Sequence, residues 1–239
     1  MISVLTHADL VLRHRKGEAR LISPLRAVGV IIVFGAIYGA LMGTFCGEGQ
    51  PVRGMQALFS ATKMPLLLLL TFVLALPSFY VINMLVGLGG DFAEALRALL
   101  ATQAGLTVIL ASLSPFTVLF YVSSTQYDGA ILFNAGMMAT ASFAAQRLLR
   151  RFYAPLIARD VRHRKMVRVW LIVYAFIGIQ MGWVLRPFIG QPGVPTTYFR
   201  GGAWGNAYVE IWEKVSDVMK GRRSWERGMM EQSNREDEK

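Results

Sequence analysis

The sequence predicts an all-α, polytopic transmembrane helical bundle with five spans, followed by a C-terminal amphipathic helix. Hydrophobic residues make up 54% of the 239 residues and charged residues only 17%, whereas a soluble domain has about 25% charged residues. The charged residues are concentrated between five apolar windows that contain none. Because a helix satisfies its backbone polar groups within one segment, windows of this kind favour helices that cross lipid.

The predicted spans, in chain order, are 27–47, 64–90, 98–122, 129–146 and 169–185. The second and third exceed the roughly 20 residues that cross a ~30 Å hydrocarbon core, and the last two are at the lower limit. Ser23 followed by Pro24 predicts the start of the first helix, with an N-cap residue and a proline at the first helical position. The spans form a bundle over residues 27–188.

The bundle lies between a basic arm (residues 1–26) and an exterior interfacial segment (189–220) that contains the predicted amphipathic helix over 207–220. A polar tail, 221–239, has the composition of a disordered segment. Aromatic and basic side chains in the exterior segment, together with Arg186 just before it, suit a membrane interface or a docking surface. These residues are Arg186, Tyr198, Arg200, Trp204 and Trp212.

Four connectors separate the five predicted spans, and three of them hold both acidic and basic residues. Glu48–Lys63 is interpreted as a polar connector, and Arg147–Arg168 as a basic one in which His163 is a solvated surface residue. Asp91, with Glu94 three residues later, resembles a capping box at the head of the third helix. An acid/base pair is the lesser alternative for these two carboxylates.

Small residues recur every four positions in three of the predicted spans. This spacing places them on one helix face and lets another helix backbone approach closely. For the first span we favour packing within the bundle, with a seam for a second copy or another protein as the alternative. The glycines concerned are Gly35, Gly39 and Gly43 in the first span, Gly136 in the fourth, and Gly178 and Gly182 in the fifth. Gly136, with Thr140 and Ala144, makes the fourth helix a candidate neighbour of the first.

Several kinds of chemistry are excluded by residues missing from the spans. No histidine lies in an apolar window, which argues against a haem ligand, and no acidic residue lies there to relay protons. One cysteine, Cys46, excludes an internal disulfide. The sequence therefore predicts no enzyme, no catalytic residue, no cofactor and no metal site. The net charge of +10 comes largely from connectors rather than from a nucleic-acid-binding surface.

The distribution of lysine and arginine predicts the orientation. With the N-terminus inside, segments 1–26, 91–97 and 147–168 hold 5, 1 and 8 basic residues, whereas 48–63 and 123–128 hold 2 and 0. Cytoplasmic loops carry the excess of basic residues. We expect a cytoplasmic N-terminus and an exterior C-terminus in a cell membrane, taken to be a bacterial plasma membrane.

Residues 63–122 carry a resemblance to a known family. The run Lys-Met-Pro-Leu-Leu-Leu-Leu-Leu, a long second span and then Gly-Gly-Asp-Phe-Ala-Glu-Ala-Leu-Arg resemble the Yip-domain membrane proteins over about residues 25–188. The tract from Arg186-Pro-Phe-Ile-Gly to Arg200 is also similar to one in uncharacterised bacterial membrane proteins. The Yip-domain resemblance implies a non-enzymatic role in membrane organisation through partners.

Three functions remain open on these grounds. The first is a non-catalytic scaffold or accessory subunit of a larger membrane complex. The second is a small permease or channel component that works as a homo-oligomer, with Asn83, Gln103 and Gln180 lining a polar path; otherwise we expect Asn83 to make an interhelical hydrogen bond. The third is a lipid-directed enzyme, in which Arg186, Tyr198 and Arg200 hold a phosphate without any accompanying nucleophile.

Overall fold

The computed structural model describes residues 23–46, 54–199 and 209, and five long helices account for most of this part of the chain. They are α1 (Pro24–Met42), α2 (Gly54–Leu85), α3 (Phe92–Ser123), α4 (Tyr127–Arg159) and α5 (Arg162–Val184), with a 3-10 turn at Gly89–Asp91. No strand occurs in the described ranges. The predicted all-helical architecture is confirmed. The predicted C-terminal amphipathic helix, most of the basic arm and the polar tail lie outside the described residues.

Four of the described helices are long and apolar enough to cross a bilayer. They are α1, α2, α3 together with its preceding 3-10 turn, and α5. These four helices are consistent with a multi-pass membrane protein in a lipid bilayer. The remaining helix, α4, has 33 residues but lacks an apolar window of the same strength.

Two predicted connectors are wrong because the helices run through them. Helix α2 begins at Gly54, so the second half of the polar connector Glu48–Lys63 is helical. Helix α4 continues past the apolar window as far as Arg159, which reduces the basic connector Arg147–Arg168 to the two residues between α4 and α5. Arginine and leucine are good helix formers, so an increase in charge ends the apolar window without ending the helix.

The two predicted helix starts have different outcomes. Ser23 is the N-cap of α1, where its Oγ accepts a hydrogen bond from the Arg26 backbone N–H at 3.3 Å and Pro24 occupies the first position. Asp91 is the N-cap residue of α3, but its side chain makes no capping hydrogen bond. The predicted capping box of Asp91 and Glu94 is therefore wrong, because both carboxylates are drawn to basic groups at the α4–α5 turn.

The packing order of the helices differs from their order in the chain. Helix α1 packs against both α2 and α3, whereas α2 and α3 make little contact although only a short turn joins them. On the far sides of this group, α4 packs against α3 and α5 packs against α2. Helix α1 thus separates the two helices of the hairpin, α2 and α3. Helices α4 and α5 complete the bundle and make only a limited contact with each other.

The contact between α1 and α2 depends on the predicted glycine face. A Cβ added at Gly39 would overlap the backbone carbonyl of Ser60, and one at Gly43 would lie 2.7 Å from Cα of Ala57. At Gly35 the nearest atoms, of Pro65, would be 3.4 Å away. These glycines therefore serve packing within the chain, the reading we favoured for the first span. By contrast, Gly136 has open space around an added Cβ, and α4 is not a main neighbour of α1.

Replacing Gly39 by alanine tests this contact. We expect Gly39→Ala to lower the free energy of unfolding by about 1–3 kcal/mol, because the methyl group forces two backbones apart in a packed core. Gly29→Ala is the matched control on the same helix, since nothing lies within 4 Å of an added Cβ there. Denaturant titration of the detergent-purified protein measures both variants. Equal stability of the two variants would contradict the backbone contact.

Candidate functional site

A buried lysine lies near the start of α2, beside the segment that follows α5. The side chain of Lys63 is fully buried, and its Nζ donates a hydrogen bond to the Pro187 carbonyl oxygen at 2.7 Å. The same nitrogen lies 4.7 Å from the centre of the Tyr198 ring, a distance suited to a cation–π contact. One backbone carbonyl and one aromatic ring thus compensate for a charge placed inside the protein.

Two further side chains of α2 bind the same segment. Gln56 donates from Nε2 to the carbonyl oxygens of Pro187 and Phe188 at 3.3 and 3.1 Å. Ser60 donates to the Phe188 carbonyl as well. We call residues 186–199 the tethered tract. The tract is not helical. Its attachment to α2 was not expected, because the sequence placed Lys63 at the end of a connector.

A cleft runs through the centre of the bundle. One cavity, of about 340 Å³, lies between α1, α2, α4 and the tethered tract. We call it the distal cavity, because it lies at the end of the bundle where the tract is attached. The central cavity, of about 400 Å³, lies between α2, α3, α4 and α5. Leu67 and Met138 line both cavities, so the two adjoin. We call this combined space the α4–α5 cleft, because it separates the two helices that close the bundle loosely.

The polar side chains of the central cavity bond mainly to the protein itself. Gln103 donates from Nε2 to the Tyr174 hydroxyl, and it also lies 3.4 Å from the Leu68 carbonyl oxygen. The Thr102 hydroxyl donates to the Ala98 carbonyl at 2.8 Å. Thr71 Oγ1 is buried and has no hydrogen-bond partner in the described part of the chain. The lining is therefore largely apolar, with its amides and hydroxyls engaged at the walls.

A second polar group connects α1, α3 and α4 beside the distal cavity. The Tyr38 hydroxyl donates to Asn134 Oδ1 at 3.2 Å, and Asn134 Nδ2 donates to the Tyr121 hydroxyl at 2.7 Å. Tyr121 in turn donates to the Met42 carbonyl oxygen at 2.9 Å. This chain of hydrogen bonds satisfies a buried amide inside the bundle.

The opposite end of the bundle carries an ion-pair cluster. His163 Nε2 lies 3.1 Å from Asp91 Oδ2, and the histidine side chain is fully buried. Arg159 pairs with Glu94 at 2.6 Å and with Asp91 at 3.6 Å, while Arg162 donates to the Val86 carbonyl at 2.8 Å. The prediction of a solvated His163 is therefore wrong: the residue is buried, and Asp91, 72 positions away, supplies a hydrogen-bond partner for its ring nitrogen.

The cluster has the chemical groups of an acid/base pair, but its surroundings indicate a structural role. The ring of Tyr153 lies 5.9 Å from that of His163, and both residues are buried. Neither cavity of the α4–α5 cleft reaches these side chains. At the adjacent turn, hydrogen bonds from the Arg162 side chain and backbone hold the pKa of Asp160 below its usual value. These contacts fix the ends of α3, α4 and α5 against one another.

The other predicted site residues are dispersed. Gly178 faces Thr71 across the central cavity, whereas an added Cβ at Gly182 would meet nothing within 4 Å. The guanidinium of Arg186 lies 3.2 Å from the centre of the Trp183 ring. Asn83 was expected to make an interhelical hydrogen bond. Its amide nitrogen instead donates to the Phe79 carbonyl oxygen within α2, so the expectation is wrong for this nitrogen. Arg200, Trp204 and Trp212 lie outside the described residues.

No group of three or more histidine, cysteine, aspartate or glutamate side chains in the described ranges could hold a metal ion. The candidate site of this chain is therefore the α4–α5 cleft with the tethered tract at its distal end.

Removal of the buried lysine tests the attachment of the tract. In a Cys46→Ser background, we expect Lys63→Met to raise the rate of maleimide labelling at Ile189→Cys by roughly tenfold, because a hydrogen bond from a charged group contributes about 1.5–3 kcal/mol. Ile189 is buried in the native tract. Lys165→Met, at the opposite end, is the matched control and is expected to leave labelling unchanged. An unchanged rate in Lys63→Met would contradict the tether.

Comparisons with protein-family models, curated proteins and solved structures found no match to this chain. The resemblance to Yip-domain proteins therefore remains an expectation from the sequence. The function is argued below from the geometry of α4 and of the cleft.

Proposed function

We propose that this chain is a five-span, non-catalytic integral membrane protein that acts as a scaffold or accessory subunit of a larger membrane complex. The observation that carries the proposal is the character of α4. This helix connects the last residue of α3, Ser123, to the first residue of α5, Arg162. It is nevertheless the one long helix of the described part that lacks a strongly apolar window. A partner helix resolves this conflict.

Contacts at the two ends of the bundle support a fifth crossing by α4. At one end, Arg159 of α4 pairs with Glu94, near the start of α3. At the other, the start of α4 lies against the tethered tract, where the Tyr127 hydroxyl is 3.5 Å from the Ile189 carbonyl oxygen. If α3 and α5 cross the bilayer, α4 must cross it in the opposite direction to join them.

The outer face of α4 favours a helical neighbour over lipid. The exposed part of its middle carries the small or polar residues Gly136, Ala139 and Thr140, and the large apolar side chains of Leu132 and Phe143 are exposed on either side of them. Small residues allow close approach of another helix, and threonine can bond across such an interface. The glycine face of α1, in contrast, is already covered by α2. A second copy or a different subunit is therefore expected at α4.

The permease alternative has less support. Of its three proposed amides, Gln103 lines the cleft and bonds to Tyr174, while Asn83 bonds within its own helix. The walls of the cleft are largely apolar, which suits an apolar occupant better than a hydrated solute.

The orientation we propose places the ion-pair cluster in the cytoplasm and the tethered tract outside, because the basic residues around the α4–α5 turn lie at the cluster end.

Photo-crosslinking in native membranes tests the partner face. We expect a benzoylphenylalanine placed at Thr140 to form a discrete protein adduct, either a dimer of this chain or a complex with another subunit. Ile32 is the control, because it is exposed on α1 and surrounded by bulky apolar residues of the kind that face lipid. Mass spectrometry identifies the adduct. A yield at Thr140 no higher than at Ile32 would overturn the partner role.

Accessibility labelling tests the orientation. In a Cys46→Ser background, we expect Val194→Cys to react with a membrane-impermeant maleimide in intact cells, because this exposed position belongs to the exterior tract. Val161→Cys, which is exposed at the α4–α5 turn, should react only after the cells are opened. The reverse pattern would refute the orientation, and labelling of both positions from one side would refute a crossing of the bilayer by α5.

A further inference from the structure

Two contacts with α3 fix the level of each α4 residue along the bundle. Near the end of α4, Arg159 pairs with Glu94 at 2.6 Å. Near its start, the ring of Phe133 stacks on that of Phe120, with the centroids 4.4 Å apart. The two contacts are separated by 26 residues on either helix. The helices therefore run antiparallel in one continuous register between them.

This register places Arg147 at the depth of an apolar segment. Arg147 lies 12 residues before Arg159, so it is level with Leu106, which lies 12 residues after Glu94. Leu106 belongs to the charge-free run 98–122 of α3. At 1.5 Å per residue, it lies about 12 Å from the start of that run. If α3 crosses the bilayer, Arg147 therefore lies within the hydrocarbon layer.

Helix α5 is apolar at the same level. Gln103, three residues before Leu106 on α3, donates a hydrogen bond to the Tyr174 hydroxyl of α5. The level of Arg147 therefore also falls near the middle of the charge-free run 169–185. Two neighbouring helices thus place the charge of Arg147 at a depth where their own sequences carry none.

The charge of Arg147 is not compensated within the described part of the chain. Arg147 and Arg151 are both exposed, and neither has a hydrogen bond or an ion pair there. An unpaired charge inside a bilayer is costly, and arginine does not release its proton. The carboxylates of the described ranges all lie at the ends of the bundle, with Asp91, Glu94 and Asp160 at the ion-pair cluster and Asp128 in the first turn of α4.

The two arginines continue the outer face of α4 at which a partner is proposed. With 3.6 residues per turn, positions 140, 147 and 151 lie within about 40° of one another around the helix. A shallow groove joins Thr140 to Arg147 along this surface. We call Thr140, Arg147 and Arg151 the basic stripe. A helix that packs along the small residues of α4 therefore passes over both guanidinium groups.

A second copy of the chain does not supply the missing negative charge. Copies in one membrane share an orientation, so a two-fold axis along the membrane normal places Arg147 of each copy at the same depth. Helices α1 and α2 contain no acidic residue, and α3, α4 and α5 have none at that depth. Two basic stripes in contact would repel each other. The charge therefore favours a different polypeptide.

A lipid phosphate suits Arg151 better than Arg147. Phosphates lie outside the hydrocarbon core of about 30 Å, and a long basic side chain reaches them from near the end of a span. Arg151 is one turn nearer the ion-pair cluster than Arg147 and is within such reach. Arg147 lies deeper, where a protein carboxylate is the better partner.

We propose that the partner on α4 is a different polypeptide whose transmembrane helix carries an aspartate or glutamate at the level of Arg147. The carboxylate accepts two parallel hydrogen bonds from the guanidinium, the geometry in which arginine binds carboxylates best. Gly136 and Thr140 admit the backbone of the same helix farther along α4. The ion pair rests on the proposed scaffold function and adds the chemistry by which the scaffold selects its subunit.

The test measures the yield of the photo-adduct at Thr140 in native membranes of arginine variants. We expect Arg147→Leu to lower the yield about tenfold, because the carboxylate of the partner is left unpaired in the bilayer. Arg147→Gln should show the same loss, whereas Arg147→Lys retains the charge and should keep most of the yield. Arg164→Leu is the matched control, since it removes an equally exposed arginine beside the ion-pair cluster. Denaturant titration checks that each variant is folded.

Charge exchange tests the pairing directly. Arg147→Glu should abolish the adduct, and replacement of the intramembrane acidic residue of the partner by lysine should restore it. The absence of any adduct in the chain with its arginines intact would overturn the scaffold role and the ion pair together. An adduct that is a dimer of this chain, or a partner without an acidic residue in its span, would overturn the ion pair alone. An undiminished yield in both neutral variants would also overturn it and would assign Arg147 to lipid phosphate.

Discussion

Close backbone contact between α1 and α2 determines where the other helices lie. Lipid tails are as apolar as leucine, so helices in a bilayer associate through packing and polar contacts rather than through burial from water. At Gly39 and Gly43 the backbone of α2 occupies the space that side chains would take. Helix α1 therefore lies beside α2, and α3 packs on α1 instead of on its own hairpin partner.

The same contact is linked to the tethered tract through one residue. The Ser60 carbonyl faces Gly39, its Oγ would lie 2.8 Å from a Cβ at Gly43, and that hydroxyl donates to Phe188. Gln56 continues this arrangement one turn earlier by binding Ser60 and the tract. The packing of α1 and the position of the tract thus share a side chain. Displacement of either helix would disturb the entrance to the distal cavity.

Local signals in the sequence predicted the parts of this fold that depend on local structure. Charge-free windows identified the helices, and Ser23-Pro24 identified the start of α1, because hydropathy and capping act within a few residues. The roles of Lys63 and His163 could not be predicted in this way. Their partners, Pro187 and Asp91, are 124 and 72 positions away, and only the packing order brings them together. A charged residue beside a charge-free window was the available signal for Lys63, and it fitted a connector equally well.

The cleft follows from the conflict between chain order and packing order. A turn of two residues joins α4 to α5, yet α4 packs on α3 and α5 on α2, with α1 between those two neighbours. Ion pairs at Asp91 and Arg159 hold the helix ends together at the turn. Towards the other end, the central cavity lies between α4 and α5. A space between them is therefore built into the topology.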